Sequence, residues 1–93
     1  MTEMMYRKHA IERMAQRGVT TGEVRQVVDN GETIEEYPDD TPYPSRLVLG
    51  HVEGRPLHVV VAYDADDDRA IIITVYEPNP TLWSDDFRTR KES

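Results

Sequence analysis

His58, in the stretch GRPLHVVVAYD (residues 54 to 64), is an imidazole in a run otherwise suited to a protein interior. Histidine changes charge near neutral pH, with an unperturbed pKa of about 6.5, which suits it to general acid-base work. Two readings of His58 stand side by side. In one it is a half-exposed strand residue bonded to Tyr76 or Thr74; in the other it moves protons in a reaction. His9, Arg13 and Arg17 bear on the choice, because they recur at i, i+4 and i+8 and so share one face of a helix. That polar stripe lies beside the apolar one rather than opposite it, although Glu12 and Gln16 extend it as any solvated helix surface would. Two histidines, arginines, Thr74 and Tyr76 around one edge of a small sheet are the inventory for metal-free RNA cleavage. In that reaction a base takes the ribose 2'-hydroxyl proton, an acid returns one to the leaving 5'-oxygen, and cations stabilise the phosphorane. It needs no cofactor and no metal.

Other chemistries find little support. The chain has no cysteine, which excludes disulfides, thiolate nucleophiles and zinc ribbons. Asp64, Asp66 and Asp68 begin like a calcium loop, but Arg69 stands where its glycine belongs and Val75 where its bidentate glutamate belongs. His51 is expected on the core-facing phase of its strand, which argues against a three-histidine metal site. No nucleophile elbow, P-loop, dinucleotide fingerprint or H-E-x-x-H occurs. A net charge of -7 argues against a general nucleic-acid coat protein. The acids gather in EEYPDD (35 to 40), DADDD (64 to 68) and SDD (84 to 86), which read as solvated loops, while Arg7, Lys8, Arg13 and Arg17 load one early segment.

These residues need elements to hold them. At 93 residues the chain is one domain over 1–93, with 1–5 and 89–93 expected to fray. Ala10, Ile11, Met14 and Ala15 mark a helix over roughly Tyr6 to Arg17, ended by Gly18. Thr20 and Glu23 form a capping box, Val19 and Val24 a hydrophobic staple, and the second helix runs to Gly31. A marginal strand (33 to 37) and a proline-rich loop follow. Three stronger strands, 45 to 52, 55 to 64 and 70 to 77, are joined by turns short enough to demand antiparallel hairpins. Trp83 and Phe87 suggest a short docked helix or turn in the tail. The expected fold is α+β, with two N-terminal helices on one face of a three- to four-stranded antiparallel sheet. The N-terminus has no secretory signal and no stretch would span a membrane, so a cytoplasmic location is expected.

Reading the hairpins through their turns places His58 opposite Tyr76, Val60 opposite Thr74 and Ala62 opposite Ile72. It places Gly50 near His58, leaving open space beside the imidazole. His58, Thr74, Tyr76 and Arg46 then share one face. Leu47, Leu49, Leu57, Val59, Val61, Ile71, Ile73 and Val75 form the other, which the helices cover.

The stretches HAIERMAQRGVT, NGETIEEYPDDTPYPS, LVLG, GRPLHVVVAYD and IIITVYEPNPTLW together resemble the bacterial domain-of-unknown-function family four-two-five-eight, from about Lys8 to Arg90. Its members look like distant relatives of RelE-type toxins in the barnase, EndoU and colicin ribonuclease superfold. The resemblance implies an endoribonuclease toxin, with a small zinc-finger antitoxin carrying a helix-turn-helix tail as partner and RNA as substrate. It carries over His58, His9, Tyr76 and Thr74 as catalytic candidates and Arg13 and Arg17 as phosphate clamps. Position 46, often a cysteine in the family, departs from the pattern, and Arg46 is left out. The alternative is a non-catalytic protein-interaction module anchored by Trp83 and Tyr76.

Overall fold

A computed structural model describes residues 2–91. The elements run β1 (Glu3–Tyr6), α1 (Lys8–Arg17), α2 (Thr21–Asn30), β2 (Glu32–Tyr37), β3 (Ser45–Val52), β4 (Arg55–Asp64) and β5 (Arg69–Tyr76). They form an α+β layer, but the sheet has five strands in the order β1-β5-β4-β3-β2, and β1 runs parallel to β5. This corrects the expected three- to four-stranded antiparallel sheet. Glu3–Tyr6 is a four-residue strand that pairs Tyr6 with Ile72, across both helices and three strands. No local turn announces such a pairing, because a parallel partner is reached only through a long crossover. The expected fraying of Met1, Glu92 and Ser93 lies outside the described residues.

The helices follow their local signals. Gly18 ends α1 in the left-handed conformation (φ 66°), and its amide caps the Met14 carbonyl. Thr20 accepts the Glu23 amide and the Glu23 carboxylate accepts the Thr20 amide, which completes the capping box. Ala10 and Met14 of α1, with Val24 and Val27 of α2, pack on Val48, Val52, Leu57, Val59, Val61, Ala70, Ile72 and Val75. These residues form the inner face of the sheet.

The register decides which side chains share that face. Glu53 (φ 52°) and Gly54 (φ 78°) make a two-residue turn with both central residues in the left-handed region, and it pairs Val52 with Arg55. Leu49 therefore faces His58, while Gly50 faces Leu57. Leu47 and Leu49 were expected beneath the helices and lie on the outer face instead. Arg46 was expected on the face of His58 but pairs with Val61, on the inner phase. Gly50 opens no space beside the imidazole: a Cβ there would come within 2.8 Å of Val27, so the missing side chain lets α2 approach the sheet. His51 is exposed and alternates with the inner-face Gly50 and Val52, so it is not core-facing.

In the β4–β5 hairpin, His58 pairs with Tyr76 and Val60 with Thr74, the expected partners. A bulge between Val60 and Val61 then shifts the phase. Ala62 faces Ile71 rather than Ile72, and the fully buried Ile72 joins the inner core in place of Ile71 and Ile73. The acidic turn beyond is organised by Asp64, 1% exposed, which accepts hydrogen bonds from the Asp66 and Asp67 amides and from Arg69.

Candidate functional site

The sheet sorts the candidate residues into two groups. Leu57 and Val59 point to the helices, so His58 between them points to the outer face, together with Tyr76 and Thr74 on β5. His9 and Arg17 are exposed on α1 and Arg13 is half-buried there, while Ala10 and Met14 of the same helix pack on the inner face. The structure brings His58, Tyr76 and Thr74 together and leaves His9, Arg13 and Arg17 across the sheet from them.

The outer face carries a second, smaller apolar layer. Leu47, Leu49, Ala62 and Ile71 are buried there although no helix covers them. The tail after β5 supplies cover: Trp83 is 2% exposed and meets the His58 ring edge-on, with centroids 4.5 Å apart and planes at 86°. The tail folds back on itself through Ser84 N–H to Thr89 O and Lys91 N–H to Leu82 O, both 2.8 Å. Arg90 lies over the Trp83 ring, 4.9 Å from its centroid, and Arg88 pairs with Glu32 on β2 at 2.8 Å.

His58 is therefore sealed, not half-exposed: its relative exposure is 0%. Both ring nitrogens are engaged. Nε2 lies 2.9 Å from the Phe87 carbonyl oxygen, which can only accept, so Nε2 carries the proton. Nδ1 then accepts from the Tyr76 hydroxyl at 3.2 Å. Phe87 delivers its carbonyl from a left-handed conformation (φ 61°), an uncommon and strained region for an aromatic residue. Burial holds the imidazole below its ordinary pKa. The Phe87 carbonyl and the field of Glu35 oppose that shift, and the Arg90 charge adds to it. His58 is thus a neutral proton acceptor at neutral pH, with Tyr76, half-buried, as its outlet towards solvent.

Around this pair stand residues that sequence reasoning missed. Tyr37 donates to Glu35 at 2.6 Å, and burial, that hydrogen bond and the neighbouring negative charge push its phenol up to about 12. Burial also raises Tyr76, a shift that Arg90 eases and Glu35 increases. Glu35, Tyr37, Tyr76, His58 and Arg90 thus form one electrostatic neighbourhood built from β2, β4, β5 and the tail. A bulge between Thr33 and Glu35 sets the phase of β2 here, and strand alternation does not reveal it. Together the cluster offers a relay of hydroxyl to imidazole, a phenol on a carboxylate and a guanidinium. Among the described residues no group of three or more His, Asp or Glu side chains could hold a metal ion. No helix there is long and apolar enough to cross a membrane.

A family model described as a domain of unknown function (DUF4258) matches residues 6–77. It spans α1, His58, Thr74 and Tyr76, and stops before Trp83, Phe87 and Arg90. No curated protein and no solved structure matches the chain.

Proposed function

We propose that this chain, which belongs to the DUF4258 family, is a metal-independent endoribonuclease of the toxin type, a distant relative of RelE-type toxins, cleaving RNA at the outer-face cluster. The observation that carries the reading is the Tyr76–His58–Phe87 chain: a hydroxyl on a neutral imidazole whose proton is held by a third group. That is the arrangement by which a base is oriented and a hydroxyl activated. Tyr76 takes the proton of the ribose 2'-hydroxyl as it passes its own to His58 Nδ1. The 2'-oxygen attacks phosphorus, the bond to the 5'-oxygen breaks, and the leaving oxygen takes a proton from Tyr37, whose phenol rests on Glu35. Arg90 stabilises the phosphorane charge, and Thr74 supplies a hydroxyl beside it. The product is a 2',3'-cyclic phosphate, and the enzyme resets by returning the His58 proton to solvent and reprotonating Tyr37. The partners that go with this reading are messenger RNA in the cytoplasm and a small zinc-finger antitoxin.

The test is single-stranded RNA incubated with the purified protein in excess chelator. Cleavage with cyclic-phosphate ends is expected, reduced about 10²- to 10⁴-fold in Tyr76→Phe, as for loss of a proton-transfer group. RNA left whole by the unaltered protein, at any salt, removes the proposal.

A second reading, a protein-interaction module without catalysis, is favoured by the complete burial of His58. In it the imidazole only staples the tail to the sheet. Induced expression separates the two, since a ribonuclease toxin arrests growth and leaves cut RNA whereas a binding module does neither.

A further inference from the structure

A cavity of about 630 Å³ lies on the helix-covered face, across the sheet from His58 and Tyr76, and its size suits a small organic ligand. One wall comes from α2. Val24 and Val27 of that helix are buried against the sheet, and the adjoining stripe of Arg25, Val28 and Asp29, at i, i+3 and i+4, lines the cavity. Met4, Val61 and Ala70 of the inner face line it from the sheet side. Met4 and Val28 are only partly buried, so apolar surface meets the opening. Arg46, which pairs with Val61, enters from β3.

Each of the two arginines has a carboxylate placed to meet it and does not meet it. Asp29 follows Arg25 by about one helical turn, and Glu36 stands directly across the strands from Arg46. Yet among the described residues neither arginine has a carboxylate within ion-pair distance. Arg25 donates instead to the Thr2 carbonyl at 3.2 Å, and Arg46 to the Thr33 hydroxyl at 2.8 Å, both neutral acceptors. Both guanidiniums are half-buried, whereas Asp29 and Glu36 are exposed at the rim. Among the described cations only Arg13, Arg25 and Arg46 are half-buried without an ionic partner, and two of these three line this one cavity.

We propose that this cavity binds a small organic anion, with a carboxylate or phosphate monoester head on Arg25 and Arg46 and an aromatic or aliphatic body on Met4, Val28, Val61 and Ala70. A half-buried charge without a counterion has lost part of its hydration, and an anionic ligand offsets that loss. A guanidinium is also the side chain whose fork of N–H donors fits carboxylate and phosphate oxygens, and each of these two uses one hydrogen bond on the protein. The rim acids favour a cationic head instead, but they are exposed and screened by water and salt, whereas the half-buried guanidiniums are screened less. The site is separate from the ribonuclease reading: it lies on the opposite face and uses none of the residues of that cluster.

The test is an amide NMR titration of the whole chain with naphthoate, naphthyl phosphate and naphthylmethylamine, three probes with the same rings and different heads. At least one of the two anions should shift the amides of Arg25, Val28, Arg46 and Val61, and the tighter of them identifies the head. The cationic amine should bind at least about tenfold more weakly. Arg25→Gln and Arg46→Gln should each weaken the anion about tenfold, as for loss of a charged hydrogen-bonding partner. Lys8→Gln, an exposed cation outside the cavity, should leave binding unchanged. Val28→Trp, which fills the cavity, should abolish the shifts while the spectrum stays dispersed. The proposal is overturned by no shift at millimolar anion, by shifts centred on Tyr76, by an amine that binds as tightly as the anions, or by arginine variants that bind as the unaltered protein does. RNA cleavage is not part of the readout, so its failure leaves this site standing.

Discussion

His58 and Phe87, 29 residues apart in sequence, are joined by an imidazole N–H donated to a backbone carbonyl at 2.9 Å. This bond fixes the tautomer, aims Nδ1 at Tyr76 and binds the tail to the outer face of the sheet.

Stability should fall on the acid side because of this buried ring. The folded-state pKa of His58 lies below its ordinary value, so the unfolded chain takes up a proton first as pH drops. Folding free energy is therefore unaffected by this group above about pH 6.5, and is lost as pH falls from there through the folded value, with a limiting slope of about 1.4 kcal/mol per pH unit for one proton. His58→Gln keeps a neutral donor and acceptor and should remove that slope. Urea unfolding of both proteins between pH 5 and pH 8 measures it, and parallel curves would dismiss the buried-imidazole account.

Trp83 holds the tail against His58 and the outer apolar layer. Trp83→Ala should cost about 3–5 kcal/mol, in the range of large aromatic truncations in cores. It should also speed amide exchange at His58, Tyr76 and residues 82–91 ahead of the α1 amides. Uniform acceleration across the chain would mean that the tail is not a separate layer.

Gly50 lies under Val27, and an added Cβ would stand 2.8 Å from it. Gly50→Ala should destabilise by about 1–3 kcal/mol through overpacking, and a compensating Val27→Ala should recover part of the loss. A double-mutant cycle by chemical denaturation checks the coupling; strict additivity would show that α2 does not meet the sheet at this point.

Thr20→Ala removes one half of the capping box of α2 and leaves the Glu23 amide without its acceptor. The expected loss is about 0.5–2 kcal/mol, with little change on replacing Thr20 by Ser. Thermal unfolding of the pair reads both.

Much of this architecture was written locally. The capping box, the Gly18 stop and the strands 45–52 and 55–64 follow from patterns within a few residues, where helix and strand periods and turn chemistry act directly. The His58–Tyr76 pair follows from the turn only through two offsetting departures: the turn pairs Asp64 with Arg69, a register that alone would set His58 opposite Val75, and the bulge moves it to Tyr76. Local rules fail in SRLVLGHV, which is apolar in both phases: periodicity cannot say whether Leu47 and Leu49 or Val48 and Val52 meet the helices, and a single step of register exchanges them. The β4–β5 bulge is equally silent in sequence, because it conserves the alternation on either side and changes only the phase between them.

The sequence by itself thus determined the order and type of the main elements, because each rests on contacts between near neighbours. Only the tertiary structure decided that β1 lies parallel beside β5, that Trp83 and Phe87 close over His58, and that His9, Arg13 and Arg17 stand on the other side of the sheet. Those relations join residues tens of positions apart. They are settled by which surfaces can be buried together once the sheet exists, a competition that no short stretch of chain encodes.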